Sequence, residues 1–322
     1  MKIIVIGLGS MGKRRIRLIR EMYPEYVIVG VDGREDRREE AAELFNIDCV
    51  SDATVIEDSI ECAFVCTSPL SHSGIISDCL NRGWNVFTEL NLVSDGYAEN
   101  IRIAKEKNCT LFLSSTFLYR EETKYVRSRI SSEKKWNYIY HIGQYLPDWH
   151  PWENYKDFFI GDKRTNGCRE IMAIELPWLS GAFGEIEKTH VVSDKLTNLN
   201  IDFDDNYMIQ IDHKNGNKGA LIVDVVSPIA VRKFEAYAEN KYISWNGTPD
   251  SIYEFDSATR KLIHIQLNEV AEHKEGYSAF VVENAYKNEI REFFDVVQNN
   301  KKPMYDFEQD KRILGIIDTL GA

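Results

Sequence analysis

The feature that most restricts the fold of this chain is a group of three glycines close to its N-terminus. Gly7, Gly9 and Gly12 have the spacing Gly-x-Gly-x-x-Gly. The apolar run Ile3–Ile6 comes directly before them, and a helical pattern over Lys13–Met22 comes directly after. In this context the first glycine permits a tight turn, the second lets a pyrophosphate approach the backbone, and the third lets the helix pack closely on the strand. The arrangement predicts the first βαβ unit of a doubly wound parallel sheet.

The residues after the glycine loop indicate what the loop binds. Amide groups at a helix N-terminus carry partial positive charge, which suits the pyrophosphate of a dinucleotide. Asp32 lies 20 residues after Gly12, at the end of the second predicted strand, where its carboxylate can accept hydrogen bonds from the adenosine ribose. That carboxylate favours NAD because it repels a ribose 2′-phosphate, whereas Arg34 could offset the repulsion and leaves NADP open. The alternative is a purely structural glycine turn in another βαβ fold.

The pattern of the chain changes near Tyr119. Before it, short apolar strands alternate with helical segments, as in a parallel sheet that is covered by helices on both faces. After it, strand patterns follow one another over Tyr207–Leu267 without intervening helices, which is typical of an antiparallel sheet with one open face. We therefore predict an α/β protein with a Rossmann domain over residues 1–118. A C-terminal α+β domain, built on a large and mostly antiparallel open sheet, is expected over residues 119–322.

Composition excludes several classes of protein. The 322 residues are 43% hydrophobic and 28% charged, as in globular proteins of about two domains. The net charge of −12 argues against a nucleic-acid partner, which would require a basic surface. No stretch approaches the roughly 18 apolar residues of a membrane span, and the N-terminal apolar run is too short for a signal peptide. The six cysteines are scattered and no cluster has metal-ligand spacing, so we expect reduced thiols, no metal and a cytoplasmic protein.

Further motifs resemble those of the Gfo/Idh/MocA oxidoreductases. The segment Cys66–His72 reads CTSPLSH, and Gly83–Glu89 reads GWNVFTE. They are similar to that family's T-x-P-x-x-x-H-like loop after the fourth strand and to its fifth strand, which ends in Glu-Lys-Pro. Asn288–Phe294 and Lys302-Pro303 resemble the family's late helix and the turn after it, so the resemblance covers nearly the whole chain. It implies that the C-terminal domain binds substrate and forms a homodimer or homotetramer through its sheet.

The resemblance also implies an activity and a cofactor site. The activity would be hydride transfer between NAD(P) and a sugar, a sugar nucleotide or a related polyol. The predicted cofactor residues belong to the glycine loop, to the end of the second strand, and to the ends of the fourth and fifth strands. They are Gly7, Gly9, Ser10, Met11, Gly12, Asp32, Arg34, Thr67, Pro69, His72, Glu89 and Asn91.

The sequence departs from this family at the two positions that usually carry the chemistry. Glu89-Leu90-Asn91 stands where the family has Glu-Lys-Pro, so Leu90 occupies the position of the catalytic lysine. A leucine side chain cannot donate or accept a proton. The segment Gly167–Trp178 corresponds to a helix that carries a D-x-x-x-H-like pair in the family, but it contains no histidine, and Ile174 lies near that position. The family's ordinary mechanism therefore does not transfer.

An irregular aromatic stretch from Gly143 to Lys156 is the predicted replacement. His150 titrates near neutrality and is the predicted general acid or base, with Lys156 or Tyr155 assisting. The predicted substrate-binding residues are aromatic side chains that can stack on a sugar ring and charged side chains from this stretch and the following helix. They are Trp149, Trp152, Glu153, Arg169, Glu170 and Glu175. The alternatives are that the aromatic residues and His150 are packing residues, and that the charged residues are solvated.

These patterns predict an NAD(P)-dependent oxidoreductase that acts on a CH–OH group of a sugar-like small molecule, in carbohydrate metabolism. Two alternatives remain open. One is a redox-inactive NAD-binding sensor or binding protein, which the absence of the family's lysine and histidine would suit. The other is an enzyme that uses tightly bound NAD transiently, for epimerisation or elimination.

Overall fold

The chain folds into two compact units. The structure, a computed structural model, describes residues 1–56, 59–130, 133–149, 154–267 and 280–322. Unit 1 comprises Met1–Ser115 and Tyr286–Arg312, and unit 2 comprises Thr116–Ala285 and Ile313–Ala322. The domain boundary at residue 118 stays a prediction. It treats each domain as one continuous stretch of chain, whereas unit 1 also contains the late segment Tyr286–Arg312.

Unit 1 is built on a six-stranded parallel sheet with the strand order β3-β2-β1-β4-β5-β6. The direction of strand addition reverses between β1 and β4, and in open α/β sheets ligands bind at the carboxyl ends of the strands on either side of such a point. The strands are β1 (Lys2–Ile6), β2 (Val27–Val31), β3 (Asp48–Val50), β4 (Cys62–Val65), β5 (Asn85–Thr88) and β6 (Leu111–Leu113).

Unit 2 contains an eight-stranded sheet with the order β14-β13-β12-β11-β7-β10-β9-β8. Neighbouring strands are antiparallel except β7 and β10, which are parallel. Its strands are β7 (Asn137–Gly143), β8 (Ile186–Asp194), β9 (Asn206–His213), β10 (Lys218–Asp224), β11 (Val231–Ala238), β12 (Lys241–Trp245), β13 (Tyr253–Asp256) and β14 (Lys261–His264).

The helices cover the two sheets and complete both units. In chain order the described α-helices are α1 (Ser10–Met22), α2 (Glu35–Phe45), α3 (His72–Asn81), α4 (Tyr97–Lys107), α5 (Glu121–Arg129), α6 (Gly167–Phe183), α7 (Glu283–Asn299) and α8 (Phe307–Leu320). No described helix has the length and apolar character that crossing a membrane requires.

A row of aromatic side chains explains why part of α7 belongs to unit 1. Phe64, Phe87 and Phe112 lie at paired positions of β4, β5 and β6, and their neighbouring rings stack with centroids 4.8 and 5.4 Å apart. Phe293 of α7 packs edge-on against all three rings at 5.2 to 5.6 Å. Burying aromatic rings in this way is a main source of stability in a core. The sequence separation of α7 from these strands hides this packing from local patterns.

The sheet of unit 2 has one buried and one open face, as its alternating pattern requires. On β7, Tyr138, Tyr140 and Ile142 are buried, whereas Ile139 is 45% exposed. Helix α6 packs on the buried face, where the Trp178 ring lies 5.7 Å from the Tyr140 ring and 5.4 Å from that of Phe234.

The predicted fold class is confirmed in both units, but the pattern missed some strands. The prediction contained neither β3 nor β8, and it had no means of assigning the parallel pairing of β7 with β10. Strand β8 is an edge strand with the sequence IEKTHVVSD, none of whose residues is fully buried. Without a buried apolar face, its alternation is too weak to stand out from a loop.

Candidate functional site

The glycine loop of unit 1 has the geometry that its sequence predicts. Gly7 has φ +93°, and a Cβ atom there would lie 2.7 Å from the Cys66 carbonyl oxygen. A Cβ atom on Gly12 would lie 1.9 Å from the Gly7 carbonyl oxygen, so no larger residue fits at either position. At Gly9, by contrast, only the Arg37 guanidinium comes within 4 Å of such an atom.

Helix α1 begins directly after this open glycine. Gly9 is its N-cap, so no side chain caps the helix, and the first turn contains no acidic residue. The first amide groups of a helix have no partner within the helix and are satisfied by caps, water or an anion. The open Gly9 and the uncapped helix start together fit the pyrophosphate of a dinucleotide.

Asp32 follows β2 and fastens the glycine loop to the end of that strand. Its Oδ2 accepts a hydrogen bond from the Leu8 amide at 2.8 Å, and its Oδ1 accepts one from the Arg34 amide at 2.9 Å. The Arg34 guanidinium binds Asp36 in a bidentate pair on the surface. Arg37, which the sequence analysis missed, places Nη1 3.7 Å from Asp32 Oδ2 and also lies beside Gly9. Arg37 therefore lies nearer than Arg34 to the part of the loop that would face the ribose.

His72 connects the loop after β4 with the end of β5. Its Nε2 lies 2.9 Å from the Thr67 carbonyl oxygen, and its Nδ1 lies 2.6 Å from Asn91 Oδ1. Burial lowers the pKa of His72, so the neutral ring, with a single N–H, is the favoured form. The Thr67 carbonyl and Asn91 Oδ1 are both acceptors, so the single N–H of the neutral ring donates to one of them. His72 thereby holds together two segments that contain predicted cofactor residues.

The tripeptide Glu89-Leu90-Asn91 points its two polar side chains inward. Glu89 accepts hydrogen bonds from the buried guanidinium of Arg15, and Asn91 is buried against His72. In the fully described segment from residue 86 to residue 92, Leu90 alone is partly exposed. The position expected to carry a lysine therefore presents an apolar side chain, and the Glu89 carboxylate is occupied within unit 1.

The aromatic stretch of unit 2 is described only in part. Trp149 donates a hydrogen bond from Nε1 to the Gln144 carbonyl at 3.1 Å, and its Cη2 lies 3.3 Å from where a Cβ atom on Gly167 would be. The Tyr155 hydroxyl accepts a hydrogen bond from the Asn200 amide at 3.3 Å, and Lys156 is exposed in the adjacent turn. Trp149 thus packs on the start of α6. The predicted residues His150, Trp152 and Glu153 lie outside the described residues.

Helix α6 places Glu170 and Ile174 on its one accessible stripe. From residue 167 to residue 179, all of them described, these two are the only ones that are not buried. Although the residue is partly exposed, Glu170 Oε2 is buried and has no hydrogen-bond partner among the described residues. Burial raises the pKa of Glu170 to about 7. A carboxyl group with such a pKa can exchange a proton at neutral pH.

The other two charged residues predicted on this helix are occupied inside unit 2. Arg169 is buried, and its guanidinium donates to Asp318 Oδ1 and to the Ala322 carbonyl, each at 2.6 Å. Glu175 is fully buried. Glu175 Oε2 accepts hydrogen bonds from the Tyr140 hydroxyl at 2.9 Å and from Trp178 Nε1 at 2.6 Å.

Arg232 completes the cluster around Glu175, with Nη2 2.7 Å from Glu175 Oε1. The cluster connects β7, α6 and β11. The Glu175 carboxylate is fully buried within it and is not exposed to a substrate. Sequence reasoning placed Glu175 among the substrate-binding residues and missed its partners Tyr140 and Arg232, because these come from distant strands. Among the described residues, no three His, Cys, Asp or Glu side chains are grouped so that they could hold a metal ion.

Comparisons with known proteins agree with this geometry. Residues 1–115 match the family model GFO_IDH_MocA, described as an oxidoreductase family with an NAD-binding Rossmann fold. Human biliverdin reductase A is 27% identical over 135 residues, which are 40% of this chain and 44% of that protein. The chain thus matches less than half the length of this relative.

Solved structures share the fold over nearly the whole chain. An oxidoreductase from Agrobacterium radiobacter, solved with NAD+, L-tartaric acid and magnesium, has a TM-score of 0.84 at 10% identity, covering 99% of this chain and 94% of its own. Levoglucosan dehydrogenase with NADH has a TM-score of 0.82 at 16% identity, with 99% and 95% covered. The UDP-N-acetylglucosamine 3-dehydrogenase of Acidithiobacillus ferrooxidans has a TM-score of 0.77 at 12% identity, with 99% and 96% covered.

At these identities the solved structures establish the fold, and the family model carries the assignment of the cofactor domain. The glycine loop, the uncapped start of α1 and Asp32 lie within the matched residues. Residues 1–115 therefore match the NAD-binding Rossmann domain of the Gfo/Idh/MocA oxidoreductases.

Proposed function

We propose that this protein is an NAD-dependent dehydrogenase or reductase that interconverts a hydroxyl and a carbonyl group on a sugar, a sugar nucleotide or a related polyol. The observation that carries the proposal is the phosphate site formed by Gly9 and the uncapped start of α1, with Asp32 beside it. NAD supplies a hydride acceptor or donor when it is bound. Levoglucosan dehydrogenase and UDP-N-acetylglucosamine 3-dehydrogenase, which share the fold, support the sugar-like substrate class.

Oxidation of a hydroxyl group also requires a group that takes up its proton. Leu90 and Ile174 cannot do this. We assign the proton to His150, with Lys156 or Tyr155 assisting. Lys156 is exposed, which leaves its ammonium group available.

Substrate binding in this proposal depends on a smaller set of residues than the sequence predicted. Arg169 and Glu175 are occupied by partners within unit 2, so we omit both. Glu170 remains, because it lies on the accessible stripe of α6 and its Oε2 has no partner in the described part of the chain. The aromatic residues Trp149 and Trp152 supply ring faces for stacking, and Glu153 supplies a carboxylate.

The test starts from the ligand that the purified protein retains, identified by mass spectrometry, followed by a screen of sugars and sugar nucleotides at 340 nm with NAD and NADH. A sugar that changes the absorbance would support the proposal. Gly9→Val tests the glycine loop, because it puts a side chain into the open side of the loop, where only Arg37 is near. This variant should abolish cofactor binding while leaving unit 1 folded. Turnover by Gly9→Val equal to that of the wild type would overturn the assignment of the loop.

Leu90 and Ile174 favour a second candidate, a protein that binds NAD without redox chemistry. Bound NAD whose absorbance at 340 nm never changes with any sugar that binds would support this candidate. Transient use of NAD for epimerisation or elimination is separated from both by product formation without net NADH. A cytoplasmic location and a homodimer or homotetramer, formed through the open sheet of unit 2, complete the proposal.

A further inference from the structure

A buried group of charges lies behind the cofactor loop in unit 1. We call Arg15, Glu89 and Glu289 the Arg15 cluster. Arg15 and Glu289 are 0% exposed and Glu89 is 9% exposed. They come from α1, from the residue that follows β5, and from α7.

The guanidinium of Arg15 connects the other two residues of the cluster. Its Nε donates to Glu89 Oε1 at 2.5 Å, and its Nη2 lies 3.1 Å from Glu89 Oε2 and 2.8 Å from Glu289 Oε2. The Ser115 amide donates to Glu289 Oε1 at 2.7 Å. Beneath this fork the Phe87 ring centroid lies 4.5 Å from the guanidinium carbon. The planar fork of arginine therefore sets the relative positions of α1, the end of β5 and α7.

The cluster contains one positive and two negative side chains. Burial lowers the pKa of Arg15, but the two carboxylates outweigh that effect and hold it above its ordinary value. Burial raises the pKa of Glu289, and Arg15 reverses only part of this rise. A protein in which well-packed apolar residues replace a buried ion pair is often as stable as the original protein or more stable. Stability alone therefore does not account for a cluster of this kind.

The location of the cluster indicates another role. Arg15 lies on the helix whose uncapped start receives the phosphates, and Glu89 directly precedes Leu90, the accessible residue at the end of β5. On the other side of Leu90, Asn91 is held by His72. Leu90 is thus fixed from both sides by buried polar contacts.

We infer that Arg15, Glu89 and Glu289 are positioning residues for NAD, which set the start of α1 and the apolar side chain of Leu90 at a fixed distance from each other. The inference depends on NAD binding to the glycine loop, as proposed above. It makes the affinity for NAD depend on Glu289, which has no exposed surface and lies on a helix outside the residues of the family model.

The experiment measures NADH binding by fluorescence titration of the full chain, at a temperature well below the melting temperature of every variant. Arg15→Met and Glu289→Ala are expected to raise the Kd for NADH by about tenfold or more, and Arg15→Lys, which keeps the charge but loses the fork, by an intermediate factor. A triple variant, Arg15→Met, Glu89→Met and Glu289→Met, replaces the whole cluster with apolar side chains. It should recover the melting temperature but not the affinity.

Two control variants separate positioning from loss of stability. Arg102→Met removes an exposed ion pair with Glu99 and Glu106 in the same unit and should change neither quantity. Ile103→Ala removes a buried apolar side chain from α4, a helix of unit 1 that contributes no residue to the Arg15 cluster. It should lower the melting temperature and leave the Kd unchanged.

Each outcome of the experiment bears on one of the two proposals. A wild-type protein that binds no NADH would overturn the proposed function. A wild-type protein that binds NADH would leave that function standing, and the inference is then overturned if the triple variant and Glu289→Ala bind NADH as tightly as the wild type does. If Arg15→Met does not fold, Arg15→Lys and the triple variant still decide the question.

Discussion

At the scale of single residues, two side chains differ from what the resemblance to the Gfo/Idh/MocA oxidoreductases implies: Leu90 stands where a lysine is expected, and Glu170 on helix α6 has a buried carboxyl oxygen. Leu90 is accessible but cannot carry a proton, whereas Glu170 has a pKa of about 7 and a buried Oε2 without a described partner. A carboxyl group in that condition is unfavourable for folding when it is ionised. Residues of this kind are found at functional sites more often than elsewhere.

Glu170 gives a prediction for the pH dependence of stability. Its pKa rises from 4.5 to about 7 on folding, so its protonated form is favoured in the folded state. Stability is therefore fully present below about pH 4.5 and falls as the pH rises towards 7, by at most about 3 kcal/mol. Glu170→Gln should abolish this loss and make the protein more stable than the wild type at pH 8, as measured by urea unfolding across pH. Equal pH profiles for the two proteins would show that Glu170 ionises freely.

The same variant tests the role of Glu170 in the proposed activity. On a substrate found in the screen at 340 nm, Glu170→Gln should lower kcat/KM by about tenfold or more, because it removes the carboxyl group that would bind a substrate hydroxyl. Together with higher stability, this loss would separate a functional carboxyl group from a structural one. Unchanged kcat/KM would remove Glu170 from the site.

Asp32 gives a prediction for the choice of cofactor. Asp32→Ala removes the carboxylate that repels a 2′-phosphate and leaves Arg37 in place beside Gly9. The ratio of the Kd for NADPH to the Kd for NADH should fall by about tenfold or more, because electrostatic repulsion is lost and a cation remains. Fluorescence titration with each cofactor measures the ratio. In Asp32→Ala combined with Arg37→Ala the fall should be smaller, and an equal fall would show that Arg37 plays no part.

At the scale of secondary-structure elements, helix α6 shows how a mostly buried helix can still expose a site. Twelve of its 17 residues are buried. Asn166 caps its start by accepting a hydrogen bond from the Arg169 amide at 2.8 Å. Pro177 lies inside the helix, where the amide it lacks leaves one helical hydrogen bond unmade. Glu170 and Ile174 lie four positions apart and therefore share one face of the helix. Both are partly exposed, so this face is the accessible one.

The Glu175 cluster gives a prediction at this scale, because it joins α6 to β7 and β11. Glu175→Gln leaves the Arg232 guanidinium without its ionic partner, and removing one partner of a buried pair costs about 3–5 kcal/mol. Urea unfolding should show this loss, whereas Glu99→Gln, at an exposed ion pair, should change stability by about 0.5 kcal/mol or less. Full stability of Glu175→Gln, combined with loss of substrate binding, would restore Glu175 to the substrate site.

At the scale of the whole molecule, the open face of the sheet in unit 2 carries apolar side chains. Val192, Met208 and Ile139 on that face are 73%, 54% and 45% exposed. Register pairs Val192 with Met208 directly, so that two of these side chains are neighbours across strands β8 and β9. Contiguous exposed apolar surface of this kind is found at protein interfaces.

The proposed oligomer follows from this surface. Met208→Glu places a charge beside Val192 on this open face and should convert the proposed homodimer or homotetramer into smaller species, as measured by light scattering coupled to size-exclusion chromatography. Lys188→Glu, at an exposed position of the edge strand β8, is the matched surface control and should leave the mass unchanged. A wild-type protein that is monomeric at micromolar concentration would contradict the proposal.

The features that depend on neighbouring residues can be read from the amino-acid sequence alone. The glycine loop, Asp32 at the end of β2 and the alternation of strands and helices in unit 1 follow from steric and hydrogen-bonding rules that act over a few positions. The same holds for most strands of unit 2, whose buried and exposed residues alternate. For that reason the fold class and the NAD-binding domain could be predicted, while the half-exposed edge strand β8 could not.

Which charged side chains are available depends on contacts between residues that are far apart in the sequence. Arg169 and Glu175 looked like ligand-binding groups in the sequence, yet their partners, Asp318 and Arg232, come from distant parts of the chain and occupy them. Arg15 and Glu289 are 274 positions apart, and no local pattern indicates that they meet. Periodicity in a sequence reports which face of an element is buried, whereas the pairing of buried charges depends on the three-dimensional contacts between elements.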